Sequence, residues 1–347
     1  MGLFLLHPSR PGRVLARMLA TAKAGADFCQ GMAYAEAGKL PQDAVVIFAL
    51  APDFLGQDSE FNLWLAKNYP HPGQEMAGIK AGMLVAVDEE EFSKAAATQA
   101  IWLLNSRGCA FIGHPLVEYI RDYKNFAAWE KATGKKGPEI CDEQCSGLAR
   151  RLHNWEPLPR RQKVVALYAS QRHLSNTFDL WHMVKRQLVG KEISEVHINN
   201  GIMQDCRGCS FSGCLHYAQQ QGCFYGGMVV SEVYPAVEQA DEIVFVCPNY
   251  NDAISANMMA VINRLTALYR TTSFHEKKLW GIIVSGNSGG DLVARQLLGA
   301  LCLNKGFYLP GNFALLATAN NPGTIGEIPG IERRVTEFAG GINASEK

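Results

Sequence analysis

The sequence predicts an α/β protein with two doubly wound parallel sheets, each flanked by helices in a three-layer αβα arrangement. Three observations lead there. Apolar β-like runs alternate with stretches of helical period along the chain. A length of 347 residues suits two domains better than one. The chain also repeats itself. "DAVVIFALAPDF" from Asp43 aligns with "DEIVFVCPNYND" from Asp241, and residues 82–113 align with 281–311, Asn105 falling on Asn304 and Gly108 on Gly306 after one gap. The openings agree as well, "GLFLLHPSRPGRVLARMLATA" against "VVALYASQRHLSNTFDLWHMV". Three matches in the same order favour duplication over the chance likeness of any two α/β segments.

The elements follow in order. Residues 1–125 form an N-terminal copy, 126–162 a charged, partly helical connector punctuated by Gly and Pro, and 163–347 a C-terminal copy. In the C-terminal copy, apolar runs predict strands near 163–169, 194–199, 242–247, 280–285 and 312–317, with helices between them and a last helix over about 329–341. Five parallel strands with helices on both faces is the flavodoxin-like arrangement, whose ligand lies outside the carboxyl ends of the strands.

Composition narrows the function classes. Lys+Arg and Asp+Glu both count 33, so no global positive field gathers nucleic acid or an anionic membrane. No apolar run reaches the length of a membrane span, and the apolar run in "MGLFLLHPSRPGR" is too short for a signal-peptide core. Ten cysteines without such a signal suit a reducing, cytoplasmic setting.

Three strand-to-helix turns of the C-terminal copy carry the candidate chemistry. "ASQRHLSNT" (169–177) crowds Ser170, Arg172, Ser175, Asn176 and Thr177 together with no carboxylate. A helix N-terminus with added hydroxyl, amide and guanidinium donors suits a phosphate, whereas plain capping needs one such residue. "CPNYNDAIS" (247–255) sets Pro248, Asn249, Tyr250 and Asn251 after a strand, a flat ring beside exposed amides, which suits a heterocycle or simply a polar loop. "VSGNSGGD" (284–291) offers Ser285, Gly286 and Asn287 in a loop whose glycines admit close approach of a ligand. These turns follow the first, third and fourth strands of one sheet and so converge on one crevice.

With those motifs in place, the C-terminal half resembles the flavodoxin-like NAD(P)H-dependent FMN reductase family, which includes the iron–sulfur flavoproteins. "ASQRHLSNT" stands where the family has G-S-P-R-x-x-G/S-N-T, with Ala169 for Gly and Gln171 for Pro. "ADEIVFVCPNY" matches A-D-x-I-V-x-x-x-P-x-Y, and Asn263-Arg264 replaces the family's Asp-Arg. The resemblance spans about 160–320. It implies FMN, with its phosphate on Ser170, Arg172, Ser175, Asn176 and Thr177, and its ring held by Pro248, Asn249, Tyr250, Asn251, Ser285, Gly286 and Asn287.

Between the second and third strands, Cys206, Cys209, Cys214 and Cys223 have spacing C-x2-C-x4-C-x8-C. Such a loop can be one of free thiols, a [4Fe–4S] site, a zinc site or a redox disulfide. The iron–sulfur flavoproteins use a more compact motif; Ser212 stands at its third position, and Gly226-Gly227 replaces the family's Asp-Asp. Cys141 and Cys145 read as two thiols on one helical face. The nine histidines form no metal-ligand pattern, and Ser170 lacks a hydrolase elbow.

The N-terminal copy keeps Ser9 and Arg10 but lacks the Ser-Asn-Thr run, and carries Asp88-Glu89-Glu90-Glu91 where the other copy has "NSGG". Carboxylates there repel a phosphate or an electron-rich ring edge, so this copy reads as degenerate, with one FMN per chain. It is expected to wall the flavin, within the chain or across a dimer, or simply to add a core and an oligomer surface. The implied activity is an FMN-dependent NAD(P)H oxidoreductase, with reduced nicotinamide as a transient co-substrate, no side-chain acid or base in a catalytic role, and a small molecule or electron carrier as acceptor. The alternative is an iron–sulfur flavoprotein-like electron-transfer module that does not use NAD(P)H directly. Members of the family are usually oligomers, which implies a homodimer or tetramer.

Overall fold

The computed structural model describes residues 2–88, 90–157, 162–169, 175–199, 201 and 203–344. The chain divides into two compact units, Met1–Glu156 and Pro157–Lys347.

The first unit runs β1 (Leu3–His7), α1 (Arg13–Ala24), β2 (Cys29–Ala33), β3 (Val45–Leu50), α2 (Ser59–Asn68), β4 (Lys80–Val87), α3 (Ser93–Asn105), β5 (Ala110–Ile120), α4 (Ala127–Thr133) and α5 (Gly137–His153). Its strands are all parallel, in the order β2-β1-β3-β4-β5. Every residue of β3 is buried, the continuous apolar run expected of a strand covered on both faces. The ring cluster of Tyr34, Phe48, Phe61 and Trp64 packs α2 onto this sheet. The stretch 126–162, read from the sequence as a connector, contains α4 and α5, and α5 packs onto β4 within this unit. A Cβ on Gly82 of β4 would lie 2.8 Å from Leu148 Cδ1, so only glycine lets that helix sit so close to the sheet. The Gly/Pro punctuation that suggested a linker is Gly134 in the left-handed C-cap of α4 and Pro138 in the first turn of α5.

The second unit runs β6 (Lys163–Tyr168), α6 (Asn176–Lys185), β7 (Glu192–His197), α7 (Phe211–Gln219), α8 (Tyr234–Gln239), β8 (Glu242–Pro248), α9 (Ala256–Tyr269), β9 (Lys278–Ser285), α10 (Gly290–Leu297), β10 (Ala314–Thr318) and α11 (Ile331–Asn343). Its parallel order, β7-β6-β8-β9-β10, is that of the first unit. Both sheets therefore have the 2-1-3-4-5 doubly wound, flavodoxin-like order with helices on both faces. The aligned sequence segments fall on corresponding strands, β3 with β8 and β4 with β9. All five strands expected in this half are present, with boundaries moved by at most two residues. α6 and α11 close one face over a core that includes Trp181, Trp280, Val244 and Val335. Among the described residues no helix is long and apolar enough to cross a membrane.

Candidate active site

The strand ends of the second unit open into a cavity of about 960 Å³, large enough for a cofactor-sized ligand. It lies where β6 and β8 part company in chain order, the switch point of a doubly wound sheet.

The first wall is the start of α6. Ser175 caps the helix, its Oγ accepting from the Phe178 amide at 3.3 Å. The first amide to donate within the helix is that of Asp179, on the Ser175 carbonyl. The amides of Asn176 and Thr177 before it therefore face outward as donors at the positive end of the helix dipole. Asn176 has a different task from the one its place in the loop suggested. Its Nδ2 donates to the carbonyls of Ala319 (3.2 Å) and Asn321 (2.7 Å), and its Oδ1 accepts from the Ile325 amide (3.2 Å). The side chain thus anchors the loop after β10 to the start of α6, and only its backbone is left for an anion. Ser170 and Arg172 lie outside the described residues.

The second and third walls are the loops after β8 and β9, and Asn249 fastens them together. Its Nδ2 lies 2.9 Å from Ser285 Oγ, 2.9 Å from the Ser288 carbonyl and 3.2 Å from Asp252 Oδ1. Gly289 completes the latch. It sits at φ +81°, and a Cβ there would collide with the Asp252 carboxylate. Pro248, Asn249, Tyr250 and Gly286 line the cavity, with Tyr250 59% exposed at its rim. Asn251, Ser285 and Asn287 do not line it. Asn251 and Asp252 have φ of +54° and +58° and form the tip of a tight turn closed by the Ala253 amide on the Tyr250 carbonyl. Asn and Asp tolerate that conformation, so turn geometry explains Asn251. Ser285 is buried, and its hydroxyl receives Asn249.

Seven of the twelve residues expected at the cofactor thus meet at one cavity: Ser175, Asn176, Thr177, Pro248, Asn249, Tyr250 and Gly286. The turns considered from sequence omitted two strand ends. Met203 and Asp205 after β7, and Ala319 and Asn320 after β10, also line it, as do Ser255 and Asn257 at the start of α9. The run "ATANNPG" directly after an apolar strand was the available signal for the β10 side. Two buried polar atoms of lining residues, Asn249 Oδ1 and Ser255 Oγ, have no hydrogen-bond partner among the described residues. They are the kind of group that a bound ligand or water satisfies. The Cys247 thiol at the end of β8 is pushed up to about 12 by burial, which keeps it protonated and inert.

Among the described residues the cysteine loop does not assemble a metal site. Among the described residues no three His, Cys, Asp or Glu side chains come together to hold an ion, and Cys206, Cys209, Cys214 and Cys223 are all free thiols. The expected ligand set for a cluster or zinc therefore does not fit this geometry. The loop is held by other groups. Asp205 Oδ1 accepts from the Cys206 amide (2.6 Å) and from Asn263 Nδ2 (2.9 Å), while buried Arg264 donates to the Gly226 carbonyl (2.5 Å). The Asn263-Arg264 pair is thereby explained as the clasp between α9 and the loop.

Residues 162–321 match the model of the family described as NADPH-dependent FMN reductase. No curated protein matches the chain. Among solved structures the chain is similar to an azoreductase from Bacillus anthracis str. Sterne, at 14% identity over 52% of this chain and 99% of that one, with a TM-score of 0.40. It is also similar to an NAD(P)H:quinone oxidoreductase from Methanothermobacter marburgensis, at 16% identity over 53% and 96%, with a TM-score of 0.38. The match to the NADPH-dependent FMN reductase family thus lies within the second unit and covers a little under half of the chain.

Proposed function

We propose that the second unit binds FMN in the 960 Å³ cavity and works as an FMN-dependent oxidoreductase that draws electrons from NAD(P)H and delivers them to a second acceptor. The observation that carries this is convergence: the start of α6 and the loops after β8 and β9, singled out separately in the sequence, line one crevice at the switch point. FMN supplies the hydride and electron chemistry when bound.

The chain's own residues place it. The α6 amides and Ser175 suit the phosphate. The latched loops offer Pro248, Tyr250 and Gly286 to a flat ring, with Asn249 fixing their separation. No strong acid or base is called for. Of the carboxylates, Asp205 lines the cavity but its Oδ1 is occupied by Cys206 and Asn263. In the first unit the counterpart loop is already satisfied internally, since Glu60 Oε2 accepts from both the amide (2.9 Å) and the hydroxyl (2.6 Å) of Ser9. That supports one FMN per chain. Anaerobic mixing of the flavin-loaded chain with NADH and NADPH tests the donor. Bleaching of the flavin absorbance by either is expected, and its absence with both would remove NAD(P)H from the reading.

A further inference from the structure

The first unit has a cavity of its own, about 610 Å³, at the carboxyl ends of its strands. It is bounded by the first turn of α1, the loop after β3, the end of β4 and the end of β5. Its walls carry charges of both signs, Arg13 at the start of α1 and Asp88 at the end of β4. Neither has an ion-pair or side-chain hydrogen-bond partner among the described residues, so they do not neutralise each other. The other two charges of the wall are already committed. Asp53 Oδ1 accepts from the amides of Leu55 (2.8 Å) and Gln57 (3.1 Å), and Arg121 interacts within the chain. The apolar part of the wall is aromatic, formed by Phe92, Tyr119 and Phe54. The turn that carries Phe54 is closed on itself: the Asp53 amide donates to the Gln57 carbonyl and the Gly56 amide to the Asp53 carbonyl, both at 2.9 Å. Gly56 sits at φ +72°, and a Cβ there would lie 3.0 Å from the Phe92 ring, so the turn rests on that ring. Phe54 is thus held 80% exposed by a fixed turn, beside a cavity whose occupant would cover it.

From this we infer that the first unit binds an aromatic α-amino acid in its zwitterionic form. Such a ligand matches all three features of the wall at once. Its carboxylate meets the Arg13 guanidinium, a planar fork suited to two-point hydrogen bonding. Its ammonium meets the Asp88 carboxylate, which has acceptor capacity only. Its side-chain ring packs against Phe54, Phe92 and Tyr119. The cavity is roomy enough for a small molecule of this kind. A ligand with one charge alone would leave either Arg13 or Asp88 unmatched. Asp88 also opens the run Asp88-Glu89-Glu90-Glu91, which repels an anion that brings no ammonium. A flavin ring supplies no cation to Asp88, so the same wall distinguishes this cavity from the one in the second unit.

The test is isothermal titration of the full chain with L-phenylalanine and with L-tryptophan, run with and without saturating FMN. One amino-acid site per chain is expected in both conditions, independently of whether the second unit holds flavin. Phenethylamine, which lacks the carboxylate, and 3-phenylpropionate, which lacks the ammonium, are each expected to bind about ten-fold or more weakly than phenylalanine. L-Alanine, which lacks the ring, is expected not to bind. Arg13→Gln and Asp88→Asn, both at exposed positions, are expected to weaken phenylalanine binding by about ten-fold or more with FMN content unchanged. No binding of either aromatic amino acid at millimolar concentration, analogues that bind as well as phenylalanine, or affinity indifferent to both variants would each overturn the inference.

Discussion

Asn249 donates its side-chain amide to the hydroxyl of Ser285 at 2.9 Å, joining the loop after β8 to the loop after β9. The same nitrogen lies 2.9 Å from the Ser288 carbonyl, so one side chain sets the width of the crevice where a ring would enter. Asn249→Ala removes the latch and leaves the Ser285 hydroxyl without its donor. Hydrogen bonds of this kind contribute about 1 kcal/mol each, so FMN affinity is expected to fall by roughly ten- to a hundred-fold. Titration followed by flavin fluorescence measures it, and unchanged affinity would show that the latch does not hold the cofactor.

Asn176 is expected to matter more for stability than for the phosphate. Asn176→Ala deletes three hydrogen bonds to the 319–325 segment and exposes backbone groups that they satisfy. The cost is about 1–3 kcal/mol in urea unfolding, accompanied by faster amide exchange at Ile325. Exchange there equal to that of the unaltered chain would contradict the anchoring role.

The cysteines should react in order of burial. Cys206 is exposed, Cys209, Cys214 and Cys223 are half-buried, and Cys109, Cys247 and Cys302 are buried with thiols pushed up by desolvation. Thiol labelling read by mass spectrometry should mark Cys206 first and the buried three only on unfolding. Protection of all four loop cysteines in the native protein would revive a metal or disulfide there.

At the amino end of the second sheet, buried Glu242 bonds Lys191 Nζ at 2.9 Å and Trp280 Nε1 at 2.8 Å. Burial nonetheless raises its carboxyl above the ordinary 4.5, outweighing Lys191, Lys278 and Trp280. The folded chain therefore keeps this proton longer than the unfolded chain does. Stability contributed by Glu242 falls as pH rises from about 4.5 through the raised value. The stability of the unaltered chain relative to Glu242→Gln should decline over that window, as followed by urea midpoints, and a flat difference would refute the shift.

Much of the fold was legible because parallel strands buried on both faces leave unbroken apolar runs, as "AVVIF" and "EIVFV" do. The duplicated pattern then located equivalent strands in the two units. The helix α5 was harder to place, because Gly and Pro at helix ends resemble those of a linker. At the site, residue type revealed which turns carry donors but not where each side chain points. Asn176 and Ser285 have the expected chemistry and direct it at the protein itself. Asn257 was invisible for the converse reason: it lies inside a helical stretch, and only folding brings its amide to the Ile198 carbonyl at the crevice.

The most direct test is to release and count the flavin in the full-length chain after reconstitution with FMN. One FMN per chain, lost when Asn249→Ala is combined with Ser175→Ala, is the expected result. A chain that takes up no FMN, or retains it undiminished in the double variant, would contradict the assignment of the crevice between α6, β8 and β9.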